Sequence, residues 1–144
     1  MNGALEIEII DWHDKQDALQ AIRKSVFIDE QHVPKELEWD GRDTECTQFL
    51  ASINSIPAAT ARLTPEGQIG RMAVLKDFRG NGFGSQLLVA VLEQAKHAGY
   101  AQVFLHAQVS VIKFYEQHGF IAEGDVFMDA GIEHRTMKLS FGDD

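Results

Sequence analysis

The sequence predicts an α/β (α+β) fold, with a mixed, mostly antiparallel central sheet of about six to seven strands and helices on both of its faces. Two observations carry this expectation. Segments of period two and segments of period three to four alternate in the order β, α, long loop, βββ, α, β, α, ββ. The strand, helix and strand between Gln68 and Gln108 form one unit whose strands run parallel through a right-handed crossover. Ligands of such units bind at the carboxyl ends of the strands, here the edge where Val74 and Gln108 end.

Each element has its own warrant. Leu5 to Ile10 alternates Leu or Ile with Glu, the pattern of a half-buried first strand. Asp14 is a candidate cap for a helix from Lys15 to about Phe27, in which Ala18, Leu19, Ile22, Val26 and Phe27 form an apolar stripe. Ile28 to Thr44, with Pro34 and Gly41, reads as a long irregular segment holding at most a short helical turn, and loops of that length tend to carry function. Gln48 to Ile53 and Pro57 to Leu63 are strands joined by the turn Asn54-Ser55, and Thr64-Pro65-Glu66-Gly67 turns the chain into a third, Gln68 to Val74. A helix from about Gly84 to Ala98 buries Leu87, Leu88, Val91, Leu92 and Ala95 and stops at Gly99. Gln102 to Gln108 is a strand, Val109 to His118 a second helix ended by Gly119, and two strands, near Val126 and over Thr136 to Phe141, complete the chain.

At 144 residues the chain is the length of one ordinary domain, expected to span 1–144. With 44% hydrophobic and 24% charged residues it has the composition of a folded, soluble protein. The single Cys46 cannot form an internal disulfide, no stretch approaches the roughly 20 apolar residues of a membrane helix, and the mixed, acidic start Met1 to Asp14 is unlike a signal peptide. A cytoplasmic location is expected, with no membrane partner. A net charge of -9 opposes broad binding of a phosphate backbone, so no nucleic-acid partner is expected. From Asp29 to Glu45 seven acids face two bases, which marks either a solvated loop or a surface turned toward something cationic. The six histidines have no ligand-like pairing, so no metal site is expected.

The run Arg79-Gly80-Asn81-Gly82-Phe83-Gly84 lies between a strand and a helix. Its glycines let successive N–H groups converge, and the helix start adds about half a unit of positive charge, a combination that favours a pyrophosphate. No Gly-Lys-Ser/Thr follows, so this is not a P-loop. The Rossmann pattern also fails, because the next strand ends in His106-Ala107-Gln108 and not in an acid. Taken alone, the glycines serve a tight strand-to-helix connection equally well.

Arg79-x-x-Gly82-x-Gly84 resembles the Arg/Gln-x-x-Gly-x-Gly/Ala loop of the GNAT superfamily of N-acetyltransferases. Ile69-Gly70-Arg71-Met72-Ala73-Val74 is similar to that superfamily's central strand, and Lys113-Phe114-Tyr115-Glu116-Gln117-His118-Gly119-Phe120 to its FYxxxGF element, in the same order and spacing over nearly the whole chain. Val26-Phe27-Ile28-Asp29-Glu30-Gln31-x-Val33-Pro34, the acids that follow, Ala107-Gln108 and Gly131-Ile132-Glu133-His134 resemble the ElaA-like and YjcF-like bacterial branch.

The resemblance implies a splayed parallel strand pair at Val74 and Gln108 and acetyl-CoA as co-substrate. It assigns the pyrophosphate to the N–H groups of Arg79, Gly80, Asn81, Gly82, Phe83, Gly84 and Ser85, and the pantetheine arm to Met72, Ala73 and Val74. Gln108 stands where many members bind the arm through Asn, with Ser110 two residues on. An N–H near Val74 would face the thioester oxygen as oxyanion donor, a contact whose loss typically costs on the order of 100-fold in rate. Tyr115 takes the place of the general acid that protonates the departing thiolate; by its neighbours alone it would pass for core. An alkylamine of pKa about 10 is neutral in roughly one molecule per thousand near pH 7, so a proton acceptor is needed. The candidates are Glu36, Glu38, His106 and His134, with His106 best placed among the histidines. Trp12 and Trp39 are packed aromatics or acceptor-pocket walls, and Cys46 offers no acyl-cysteine route.

The function expected is acetyl transfer from acetyl-CoA to a small primary amine or amino-sugar by direct attack. A non-catalytic acyl-CoA-binding sensor and a protein-lysine or N-terminal acetyltransferase share the same residues. Edge pairing or strand exchange at Thr136 to Phe141 is a route open to a homodimer, though no pattern in the chain calls for it.

Overall fold

Alternation along the strands sets the architecture. In a computed structural model describing residues 3–142, β1 (Leu5–Ile10), β2 (Thr47–Ile53), β3 (Ile56–Leu63) and β4 (Ile69–Val74) form an antiparallel sheet in that order. Met1 and Asn2, the first residues of the acidic start, lie outside the described residues. Successive side chains of β2 point to opposite faces, so Phe49 packs on one side and Leu50 on the other. The Phe49 face, with Ala61 and Leu63, is covered by Leu87, Leu88 and Val91 of α3 (Phe83–His97). The Leu50 face, with Ala73, is covered by Trp12, Leu19, Ile22 and Val26 from the α1 region (Gln16–Arg23 and its continuation). Each fully buried Leu contributes roughly 1.5–3 kcal/mol.

A second sheet holds β5 (Gln102–Gln108), β6 (Ile121–Asp129) and β7 (Ile132–Ser140) in the order β5-β7-β6, and α4 (Ile112–Glu116) precedes β6. The two sheets meet at a single parallel bridge, Gln68 with Phe104, where the Phe104 N–H donates to Gly67 O at 3.0 Å. Past that point β4 and β5 separate.

The β2–β3 hairpin forms at the foreseen Asn54-Ser55 turn, and the β6–β7 hairpin at a turn that the sequence reading did not name. Asn54 (φ 50°) and Ser55 (φ 66°) turn β2 into β3, and Ala130 (φ 53°) and Gly131 (φ 76°) turn β6 into β7, the positive angles that two-residue hairpin loops require. Elsewhere the boundaries move. Asp14 caps nothing: it belongs to a short 3₁₀ turn, Trp12–Asp14, that tucks Trp12 into the core, and α1 starts after Lys15 without a side-chain cap. The first helix also runs beyond Phe27, widening into a π-helix over Lys24–Glu30, with Gln31 N–H donating to Val26 O at 3.2 Å. The irregular segment holds α2 (Lys35–Glu38), and the second predicted helix is a 3₁₀ turn, Val109–Val111, followed by α4. The last strand is not an edge. β7 is paired on both sides, by β5 and β6, so edge pairing through Thr136 to Phe141 has no open groups to use.

Candidate functional site

The separation of β4 from β5 leaves a cavity of about 790 Å³, within the usual range for small-molecule sites. Met72, Ala73, Val74, Arg79, Gly80, Gly84 and Gln108 line it, as do Tyr115, His106, Glu38 and His134. Asn81, Gly82, Phe83 and Ser85 build the turn beside it without lining it, and Glu36 is exposed and outside it.

The glycine loop is built to receive an anion. Gly80 and Gly82 adopt φ 81° and 77°, and a Cβ at either would meet nothing within 4 Å, so open space lies in front of the backbone. The first intrahelical bond of α3 runs from Gln86 N–H to Gly82 O at 3.1 Å. The N–H groups of Phe83, Gly84 and Ser85 therefore have no partner within the helix and add their dipoles to its positive end. These features fit a CoA pyrophosphate. The Arg79 side chain is otherwise engaged: its two terminal nitrogens grip Glu30 at 2.9 and 2.8 Å, and Nε donates to Val74 O at 2.8 Å. It ties the π-helical end of α1 to the loop, of which Gly80 and Gly84 line the cavity.

β4 carries a bulge in which Arg71 and Met72 face Ala61, with Arg71 at φ 50°. Leu75 N–H donates to Ala58 O at 2.9 Å. By antiparallel alternation the Val74 N–H and C=O turn the other way, into the splay, and with Arg79 on the carbonyl the N–H faces the cavity.

Tyr115 stands on α4 with its ring against Phe114 and Phe120, and burial pushes its phenol up to about 12. His106 on β5 projects from the face opposite Val103, Leu105 and Ala107, edge-on to Phe127, which in turn stacks on His134. Burial lowers the His106 pKa from its ordinary value; the Asp129 charge opposes this and His134 adds to it. Burial thus favours the neutral imidazole of His106. Gln108 Nε2 donates to Gln31 Oε1 at 3.0 Å, joining the end of β5 to the end of the π-helix.

Three carboxylates of the acidic segment meet arginines of the fold itself. Arg23, fully buried, donates to Glu38 and to Asp43, both at 2.6 Å, and its guanidinium is sandwiched between Trp12 and Trp39 at 5.4 and 5.0 Å. Arg62 binds Asp40 and Asp43, and Arg71 reaches Glu38 and Asp40. Three arginines thus neutralise Glu38, Asp40 and Asp43 inside the fold, and the tryptophans clamp Arg23 and do not line the cavity. Burial raises the Glu38 pKa against the pull of Arg71 and Arg23. Burial also disfavours charge on Asp40, yet hydrogen bonds from Arg62 and the Arg42 N–H hold its carboxyl well below the usual range. Arg71, Glu30, Gln31 and Asp129 have places in this site that sequence reasoning did not give them; the available signals were Arg71 within the central-strand motif and Glu30 and Gln31 within the branch motif.

The same fold recurs among known proteins. The family described as "Acetyltransferase (GNAT) domain" matches residues 12–141. This chain belongs to the GNAT family. The uncharacterized N-acetyltransferase YjcF of Bacillus subtilis is 32% identical over 120 residues, 81% of this chain and 86% of the relative. The crystal structure of Escherichia coli ElaA superposes with a TM-score of 0.84 at 28% identity, covering 94% of this chain and 99% of that one. An acyl-CoA N-acyltransferase from Pseudomonas aeruginosa matches equally, at TM-score 0.84 and 28% identity over 94% and 99% of the two chains. As a GNAT N-acetyltransferase the chain is an acyl-transfer enzyme of a family that uses acyl-CoA, and the two-sheet, splayed architecture is that family's fold.

Proposed function

We propose that the whole chain acts as one acetyl-CoA-dependent N-acetyltransferase domain that moves an acetyl group onto a small primary amine by direct attack. The observation that carries this reading is the single cavity at the β4/β5 splay, which gathers the glycine loop, the end of β4, Tyr115 and His106. The N–H groups of Gly80 to Ser85 hold the pyrophosphate, and Met72 to Val74 pair with the pantetheine arm as an added strand. Gln108, freed from Gln31, bonds the arm. The Val74 N–H receives the thioester oxygen as the amine nitrogen forms its bond to the acetyl carbon. Neutral His106 first takes the ammonium proton to free that amine, the C–S bond breaks as the thiolate takes the Tyr115 proton, and the second proton of the attacking nitrogen returns to the Tyr115 oxygen. In this reading Glu36, outside the cavity, and Glu38, bound to Arg23, transfer no proton. A cytoplasmic location fits the free, buried Cys46, whose thiol burial pushes up.

The test is thiol release from acetyl-CoA in the presence of a panel of primary amines. Release that depends on the amine supports the reading. Tight acetyl-CoA binding with no release for any amine would instead leave a non-catalytic sensor.

A further inference from the structure

Resting on the acetyltransferase reading, we infer that the acceptor is a monoamine with an apolar body, whose ammonium is received by Asp129 beside His106. Two carboxylates line the cavity, Glu38 and Asp129. Glu38 is spent on Arg23 and Arg71, whereas Asp129 has no ion-pair partner among the described residues. Asp129 stands at the tip of the β6–β7 hairpin, paired with Ile132, and its charge acts directly on His106 across the sheet. One ammonium is therefore matched, next to the group that takes its proton, and a second has no anion to meet.

The rest of the acceptor side is apolar or already satisfied. Phe27 and Val33 come from the end of the π-helix and the segment after it, Leu37 from α2, and Ala130 and Ile132 from the hairpin. Leu37 is 51% exposed, an apolar cost that a bound apolar body would relieve. Two of the polar groups there are already bonded, His134 Nδ1 to Ile132 O at 2.7 Å and Arg71 to the Leu37 and Glu38 carbonyls at 3.0 and 3.1 Å, while Gln31 is the amide left free once Gln108 turns to the pantetheine arm. A hydroxyl-rich acceptor finds few free partners and would leave its own groups unpaired on burial.

The experiment measures thiol release at saturating acetyl-CoA with phenethylamine, spermidine, glucosamine, phenylalanine and a lysine-containing peptide, with acetyl-CoA affinity measured separately by calorimetry. Phenethylamine should exceed each of the others in kcat/KM by on the order of tenfold or more, the value of burying part of one aromatic body. Asp129→Asn should raise its KM roughly tenfold with acetyl-CoA affinity unchanged, and Leu37→Ser should raise it as well. Thermal unfolding confirms that both exposed-site variants are folded. Preference for spermidine, glucosamine, phenylalanine or the peptide, or an Asp129→Asn KM equal to wild type, would overturn the inference while leaving the acetyltransferase intact. Turnover of no amine by a protein that binds acetyl-CoA would overturn the acetyltransferase reading and this inference with it.

Discussion

Tyr115→Phe isolates one hydroxyl at the reacting centre. The ring of Tyr115 packs against Phe114 at 5.1 Å and Phe120 at 5.8 Å, contacts that phenylalanine keeps, so stability should stay within about 0.5 kcal/mol. The chemical effect is worked from acidities. Burial sets the phenol at about 12, and an unperturbed thiol lies near 8.5. Full transfer to a thiolate in water would run uphill by roughly 3.5 units, or about 5 kcal/mol. Inside the same dry cavity the departing thiolate is desolvated too, so its own pKa rises and the gap narrows toward the roughly 1.5 units between an ordinary phenol and thiol. A matched donor of this kind typically contributes 100- to 10,000-fold, so kcat should fall by about that factor, or roughly 3–5 kcal/mol in the barrier. The assay is steady-state thiol release, run with acetyl-CoA and with an acetyl thioester analogue whose leaving thiol is more acidic. The defect should shrink with the better leaving group, which needs less protonation. An equal loss with both donors, or no loss, would refute the assignment of Tyr115 as acid.

Further expectations follow from the same geometry. Because burial depresses the His106 pKa below 6.5, the rising limb of kcat/KM against pH should sit below about 6.5, and His106→Asn should abolish that limb; a limb near 8 would contradict neutral His106 as acceptor. Arg23→Met leaves Glu38 and Asp43 each short of a partner at full burial, so it should destabilise by about 3–5 kcal/mol at pH 7. That corresponds to a drop in Tm on the order of 10 °C by calorimetry, and an unchanged Tm would show the network to be dispensable. Glu38 and Asp40 act in opposite directions with pH. Glu38, raised in the fold, favours the native state most below its unfolded pKa, and that contribution is lost as pH rises through its folded value. Asp40, depressed in the fold, contributes above its unfolded pKa and loses this as pH falls. Glu38→Gln should therefore remove the first dependence and Asp40→Asn the second in unfolding titrations across acid pH.

Local signals were legible in the sequence, and pairings across long separations were not. Asn54-Ser55 marks its turn because the required backbone angles belong to few residue types, and Gly80 and Gly82 take the positive angles foreseen for the loop. The stripe of Leu87, Leu88 and Val91 marks α3 because its period is that of the helix. The acidic segment misled because counting charges along a stretch assumes solvent around it. Its counter-ions, Arg62 and Arg71, arrive from β3 and β4, 19 to 33 residues downstream. Asp14 failed as a cap because burying Trp12 diverted the chain into a 3₁₀ turn. The Arg79–Glu30 clamp spans 49 positions, and Asp129 reaches the cavity through the hairpin, so neither is visible in local pattern.

The central claim, that the loop and the splay hold acetyl-CoA, is tested most directly by calorimetric titration of acetyl-CoA into wild type and Gly82→Val, with thermal unfolding measured for both. At φ 77° a branched side chain is strained and its methyls enter the open space before the loop. The account predicts micromolar binding, about -8 kcal/mol, for wild type, and its loss in a variant that remains folded. A folded wild type that does not bind, or a variant that binds equally well, would contradict it.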